Sequence, residues 1–550
     1  MKIKKKHMTL FVLIGIFFIG FFSEVHLNEK NIDNQNRVAK EEKIEQENVN
    51  ELEVLRNSNS WKCNFIHISN DNWSANEVAW IQNATGTWDD PHIIENVTID
   101  AGSSPTSCGI LIENSNDYFI IRNCTVFNAP VVSLMGGIKL YHTNNGIITN
   151  NNCSNNGVSG IILYEDCDNN TISGNIACAT TVYQQYGIYL LGDCNDNIIS
   201  GNTASGNQNH GIALKESDNN TISGNFASKT TNYNQNNGLH IYYGSDNNII
   251  KENIAINNQF YGIYIDDNCR NNTVSENKLG NDGTILQDQG IRLVINCDNN
   301  TIWGNVLKNN SQYGICIYSA DCGNNSIYSN SFEGNVARQA VDDGTDNQWD
   351  NHGYGNYWDN HTTPDSDNDK IVDTPYTWIY GSANSMDNFP LAITPVHVGD
   401  AIYIDDSGSS AWNWSKTSEF FIWCSGSGTY NNPYLIEGLE INGTNSGSCI
   451  QIANSSVYFT IRECKLYNSG SGANDAGIRL FNTRNGIIIS NNCSNNGRHG
   501  IFLYENCTNN ALIENVANFN SDRGIYLYNH CINNTISRNI ANNNTDYGIY

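Results

Sequence analysis

A Gly-Ile dipeptide, or a close equivalent, returns roughly every 24 residues along this chain, each time opening a short run that alternates apolar and polar residues. It stands at Gly137, Gly160, Gly187, Gly211, Gly238, Gly262, Gly290 and Gly314, and again at Gly477, Gly500, Gly524 and Gly548. A unit this short cannot bury a core alone, so a fixed period of this size demands units stacked on one another. Between Gly187 and Gly211 the text runs Gly-Ile-Tyr-Leu-Leu, a polar turn at Asp193 to Asn197, then Ile198-Ile199-Ser200. Alternation of period two marks strands, and no helical period is sustained anywhere in the repeats. The expected fold is all-β, a parallel β-helix solenoid.

From Gly109 the spacings are 28, 23, 27, 24, 27, 24, 28 and 24, so long and short rungs alternate and the true unit is a pair of 51 or 52 residues. The extra residues precede the Gly-Ile strand, as at Thr180 to Gln185 and Thr230 to Gln235, and are expected to form a ridge along one corner. Asparagine at a fixed turn place (Asn169-Asn170, Asn219-Asn220, Asn271-Asn272, Asn299-Asn300) can form hydrogen-bonded ladders up the stack. Cys167, Cys194, Cys269, Cys297, Cys322, Cys507 and Cys531 share another turn place that Ser217 and Ser245 also fill. Interchange with serine, and parallel Cβ vectors that suit a disulfide torsion badly, favour free stacked thiols.

The organisation is a tandem duplication: Asp90-Pro91-His92-Ile93-Ile94-Glu95 matches Asn432-Pro433-Tyr434-Leu435-Ile436-Glu437, and Asn151 to Gly157 recurs unchanged at Asn491 to Gly497. The expected division is a secretion signal or membrane anchor over 1–27, a polar linker over 28–60, and solenoids over 61–395 and 396–550. The second stops in mid-strand at Tyr550, where further chain is expected to cover the open edge. Any membrane contact is assigned to the N-terminal segment alone, which makes the protein exported, extracellular or on the cell surface. A net charge of -27 argues against nucleic acid as a partner. Nothing in the repeats indicates an oligomeric state.

The rungs, the Pro-(His/Tyr)-(Ile/Leu)-Ile-Glu opening and the closing Gly355-Asn356-Tyr357-Trp358 followed by Asp373-Thr374-Pro375-Tyr376 resemble the NosD-like branch of right-handed parallel β-helix proteins, with its carbohydrate-binding and sugar-hydrolase-type repeats. The resemblance covers nearly everything after residue 61 and implies a right-handed helix. Its name carries copper, but clustered His, Met or Cys are missing from the sequence and no copper is expected.

In each Gly-Ile strand the residue after Gly is expected to point inward and the next outward. The outward positions then hold Tyr141, Tyr164, Tyr189, Tyr242, Tyr264 and Tyr318 in the first solenoid, with Phe502, Tyr504, Tyr526 and Tyr528 in the second. Flat rings suit sugar faces, so these are the candidate contacts for an extracellular glycan or surface polymer, weighed against simple stacking of tyrosines on a half-exposed strand. Asp365, Asp367, Asp369 and Asp373, with the carbonyl of Ile371, have the spacing of an EF-hand calcium loop and are the candidate ligands of a structural Ca2+, though Lys370 stands where such loops carry Gly. Asp90-Pro91-His92 is similar to a catalytic element of uronate epimerases, but its duplicate keeps neither carboxylate nor imidazole. No catalytic constellation is read. The leading expectation is therefore a carbohydrate-binding or scaffold protein, and the alternative is a polysaccharide lyase, epimerase or glycoside hydrolase.

Overall fold

The computed structural model describes residues 61–73, 81–82, 84–181, 183–230, 234–281, 287–351, 353–367, 370–395, 401–407, 412–421 and 423–550. The expected signal or anchor and linker lie outside them, as does Asp369. Among the described residues the chain coils as a parallel β-solenoid. One sheet of 11 strands runs from Ile66–Ser69 to Arg338–Asp342 and contains every Gly-Ile strand of the first series. A second sheet, also of 11, runs from Ile81–Gln82 to Ser326–Tyr328, and its only antiparallel pair among the described strands is the first, Ile81–Gln82 with His92–Glu95. A third face is built from shorter strands, Ile254–Ile256 to Tyr357–Trp358, and from single bridges lower down. From Ile402 the pattern begins again, with sheets of five, six and two strands.

Each solenoid has its own stack of inward Ile and Leu. Ile161, Ile188, Ile212, Leu239, Ile263, Ile291 and Ile315 follow one another in register, all fully buried. A separate cluster holds Ile450, Ile478, Ile501 and Ile525. The glycine before each of these residues is required by close approach of backbones. A Cβ on Gly211 would lie 2.7 Å from the Ala204 carbonyl oxygen and 2.8 Å from that of Gly238 in the next rung.

Polar side chains inside the turns are satisfied by their counterparts one rung away. Asn175, Asn202, Asn225, Asn253, Asn277, Asn305, Asn330 and Asn356 form an unbroken ladder, each Nδ2 donating to the next Oδ1 at 2.9–3.0 Å. In the Asn-Asn pairs the first residue takes the left-handed conformation (Asn169 φ 56°, Asn219 φ 59°) that asparagine tolerates. The second turns inward into another ladder, Asn197 to Asn220 at 3.1 Å and Asn220 to Asn248 at 3.2 Å. A third ladder alternates amide lengths. Gln184 donates to Asn207 (2.8 Å), Gln235 to Asn258 (2.9 Å) and Gln287 to Asn310 (3.1 Å). The glutamines stand in the long rungs and the asparagines that accept from them in the short ones.

All 17 cysteines are free thiols. In the repeated turn they donate to carbonyls of their own turn, Cys269 to Asp266 and Cys297 to Val294 at 3.1 Å.

Aromatic residues plug the ends of the first solenoid. At its start Trp73 stacks on His92 at 4.5 Å; the second solenoid repeats this as Trp414 on Tyr434 at 5.3 Å. At its finish Phe332, Trp358 and Tyr376 form a buried stack with centroids 4.2 and 3.9 Å apart. Buried Asp387 ties this end together, accepting from Trp358 Nε1 (2.8 Å) and the backbone N–H groups of Asn356 (2.7 Å) and Phe389 (3.0 Å).

Candidate functional site

The outward face of the Gly-Ile sheet carries three columns. Lys139, Ile162, Tyr189, Ala213, His240, Tyr264, Arg292 and Cys316 pair in register up the middle. Tyr141, Tyr164, Leu191, Lys215, Tyr242, Asp266 and Val294 form the column beside it. The third, Ser159, Tyr186, His210, Asn237, Tyr261, Gln289, Tyr313 and Arg338, is missed by strict alternation. Pairing skips the glycine, whose hydrogen faces the core, so the residue before it swings outward. A Tyr or His immediately before the glycine, as at Tyr186, His210, Tyr261 and Tyr313, was the available signal.

Covering rings change the role of the middle column. Tyr189 is 7% exposed, stacked on Tyr186 at 4.5 Å, and its hydroxyl meets that of Tyr242 at 2.8 Å over the small Ala213. His240 lies flat against Tyr242 (4.1 Å) and Tyr264 (4.6 Å), and its Nδ1 shares a hydrogen bond with His210 Nε2 at 3.1 Å. Burial pushes the Tyr189 phenol up to about 12 and the His210 imidazole down to about 4, so both are neutral near pH 7. In the second solenoid Phe502 is 2% exposed and stacks on Tyr526 at 4.8 Å. Tyr189 and Phe502 are therefore packing residues that offer no ring face to a ligand.

The remaining candidates stay open to solvent to differing degrees. Tyr141 and Tyr164 are half-buried and stack at 5.5 Å, with the Lys139 ammonium 4.8 Å from the Tyr164 ring. Tyr242, Tyr264, Tyr504 and Tyr526 are half-buried. Tyr318 is 57% exposed, and the Arg292 guanidinium lies 4.5 Å from its ring and 5.2 Å from that of Tyr261. Tyr528 is exposed and stacks on Tyr504 at 5.9 Å.

In the acidic loop, Lys370 adopts φ 79°, the left-handed conformation that a calcium loop demands of its sixth residue. The Lys370 amide donates to Asp365 Oδ2 at 3.3 Å, and the Ser366 amide to Asp373 Oδ2 at 2.9 Å. Bonds to Ser366 hold the Asp373 carboxyl below its ordinary range. Ile371 bridges to Leu391, and Asp367 is exposed. His92 of the Asp-Pro-His element is spent on structure: its Nδ1 accepts from the Ala84 amide at 3.0 Å, Nε2 meets Asp117 at 3.3 Å, and its ring is sandwiched against Trp73.

The model of the NosD family, described as periplasmic copper-binding protein, matches this chain over residues 27–230, 96–289 and 225–363, together more than half its length. The chain belongs to the NosD family. Residues 396–550 of this family member match a second model, the right handed beta helix region. No curated protein matches the sequence. Among solved structures, this NosD-family chain is similar to the periplasmic alginate epimerase AlgG (13% identity, TM-score 0.33, 77% of this chain and 84% of that one). It is also similar to the Dettilon tailspike protein gp208 (15%, 0.33, 50% and 58%) and to the A-module of the Azotobacter vinelandii mannuronan C-5 epimerase AlgE4 (11%, 0.22, 80% and 90%). Likenesses at this level carry no argument about activity.

The described donors do not fit the copper of the family's description. The His210 and His240 rings are hydrogen-bonded to each other. Cys108 Sγ and Lys139 Nζ both turn toward Met135 Sδ, at 3.5 and 3.9 Å, which sets an ammonium against the one thioether beside a thiol. Burial pushes the Cys269 and Cys316 thiols up to about 12, away from the thiolate that metals bind, whereas hydrogen bonds with Cys297 and Cys507 shift Cys322 and Cys531 down. Among the described residues no three His, Cys, Asp or Glu side chains converge on one point.

Proposed function

We propose that this protein is an exported β-solenoid that binds carbohydrate along the outward face of its Gly-Ile sheet. The observation that supports this most is the exposed Tyr318 ring backed by Arg292, on the same outward face as the half-buried, stacked Tyr141 and Tyr164. Stacked phenols held by cations are rigid before a ligand arrives, so little side-chain entropy is lost on binding, and they present apolar faces with polar rims as sugars do. Export is supported by the basic and apolar N-terminal segment and by the family's periplasmic description. A glycan array with the intact chain tests the reading: selective binding that falls at least tenfold in a Tyr264→Ala, Tyr318→Ala double variant supports it, and an array with no bound glycan overturns it.

The same reading gives the 365–373 loop a structural Ca2+, held by Asp365, Asp367, Asp369, Asp373 and the Ile371 carbonyl. The left-handed Lys370 supports it. Calcium at 1 mM is expected to raise the melting temperature of the chelator-treated protein by several degrees, since a ligand at 100 times its Kd adds about 2.7 kcal/mol; Asp365→Asn should abolish the rise.

A further inference from the structure

The outward face does not stop at the last regular strand. After Arg338–Asp342 the chain departs for more than thirty residues and returns at 376–380 to pair as one more rung: the Tyr380 amide donates to the Ala340 carbonyl at 3.1 Å, and the Asp342 amide to the Tyr380 carbonyl at 2.7 Å. Tyr376 and Ile379 turn into the structure, and Trp378 and Tyr380 turn out, 59% and 64% exposed. Between this segment and the strand lies a cleft of about 520 Å3, lined by Val336, Arg338, Gln339, Asn360, Trp378 and Tyr380 among others.

Its components are already ordered. The Trp378 indole meets His361 (6.0 Å, 70°) and Tyr376 (5.7 Å, 74°) edge to face, which fixes its plane and leaves it facing solvent. Tyr376 is buried at the end of the Phe332–Trp358–Tyr376 stack. Gln339 on the floor is held at both ends of its amide, by Asp359 and by Asn335 Nδ2 at 2.7 Å. The Arg338 guanidinium lies 5.3 Å from the Tyr380 ring, donates to the Ala337 carbonyl at 2.8 Å, and among the described residues has no carboxylate partner. In a chain of net charge -27, Arg338 sets an exposed guanidinium beside the exposed rings of Trp378 and Tyr380.

We propose that this cleft binds an acidic sugar residue, its pyranose ring stacked on Trp378 and its carboxylate paired with Arg338. The inference rests on the carbohydrate-binding reading but places the site on different residues and names the sugar class. An apolar ring face with polar rims matches Trp and Tyr, and a guanidinium fork is the side chain best shaped for a carboxylate. The acidic body of the protein opposes a polyanion at long range. At 0.15 M salt that repulsion is screened beyond about 8 Å, while a guanidinium in contact with the ligand is not.

Binding of hexuronate and neutral hexose oligosaccharides of equal length to the full chain, by calorimetry, tests it. Preference for the uronate of at least tenfold is expected, falling to within threefold of neutral in Arg338→Gln, with Trp378→Ala weakening both ligands at least tenfold. Circular dichroism and an unchanged melting temperature keep a folding defect from passing for lost binding; Tyr380→Phe, which keeps the ring, should bind as the parent does. Equal affinity for both oligosaccharides, or uronate binding that survives Trp378→Ala and Arg338→Gln, overturns the proposal. If binding persists in those variants and disappears in Tyr264→Ala, Tyr318→Ala, the lower face is the site and only this inference fails; binding of neither sugar overturns it along with the lower-face reading for these ligands.

Discussion

The glycine before each core Ile is the tightest residue-level constraint in the chain. A methyl group on Gly211 would approach the Ala204 carbonyl, the Ala227 Cβ and the Gly238 carbonyl within 2.8 Å, so the rungs must separate to admit it. Gly211→Ala is expected to destabilise the first solenoid by about 1–3 kcal/mol, the usual cost of overpacking, measured by urea denaturation. Buried imidazoles add a pH dependence. His499, 1% exposed beside Phe502 and Tyr526, is held by burial at about 4. Unfolded, it takes a proton near pH 6.5. The unfolded chain thus binds more protons between those values: the stability that neutral His499 contributes is whole above pH 6.5 and is lost as the pH falls toward 4, by about 3 kcal/mol at 1.36 kcal/mol per unit. His499→Phe keeps the ring contacts without the titration, and its stability should fall less between pH 7 and pH 4.5 than that of the parent.

At the scale of the rung, the periodic features were legible and the aperiodic ones were not. Inward and outward alternation, the asparagine ladders and the two-rung unit all follow from spacing, because every rung repeats the same local problem. Alternation breaks at Gly187 and its equivalents, since a residue without Cβ lets pairing skip a position, and so the Tyr186 column stayed hidden. The burial of Tyr189 was hidden for a related reason: it depends on Ala213 one rung up and Tyr242 two rungs up, a packing relation among three rungs that no single strand displays. The amide ladder carries its own prediction. Gln235 Oε1 accepts from the Asn207 amide at 3.1 Å while its Nε2 donates to Asn258, all fully buried. Gln235→Asn is one methylene too short for the long rung and should strand both partners, costing about 1–3 kcal/mol by denaturation, whereas the same shortening on an exposed turn would cost little.

At the scale of the molecule, stability in such a stack is a sum of rung and neighbour terms, so a defect is felt by the rungs it touches. The last rung shows what this means for function. Residues 376–380 break the repeat in sequence, and only pairing with Arg338–Asp342 and the Asp387 latch reveal them as part of the outward face. The inward residues form two separate stacks, one ending at Tyr376 and Ile379, the other starting at Ile402. We propose that the two solenoids are independent folding units, divided near residue 396 as the duplication implies. Calorimetry should then show two transitions. Gly211→Ala should lower one of them by roughly 2–6 °C, as expected for 1–3 kcal/mol in a unit of over 300 residues, and His499→Phe should alter the acid sensitivity of the other alone. A single transition that both substitutions move together would mean that the solenoids unfold as one body, and the division at 396 would then mark a duplication in sequence without a boundary in stability.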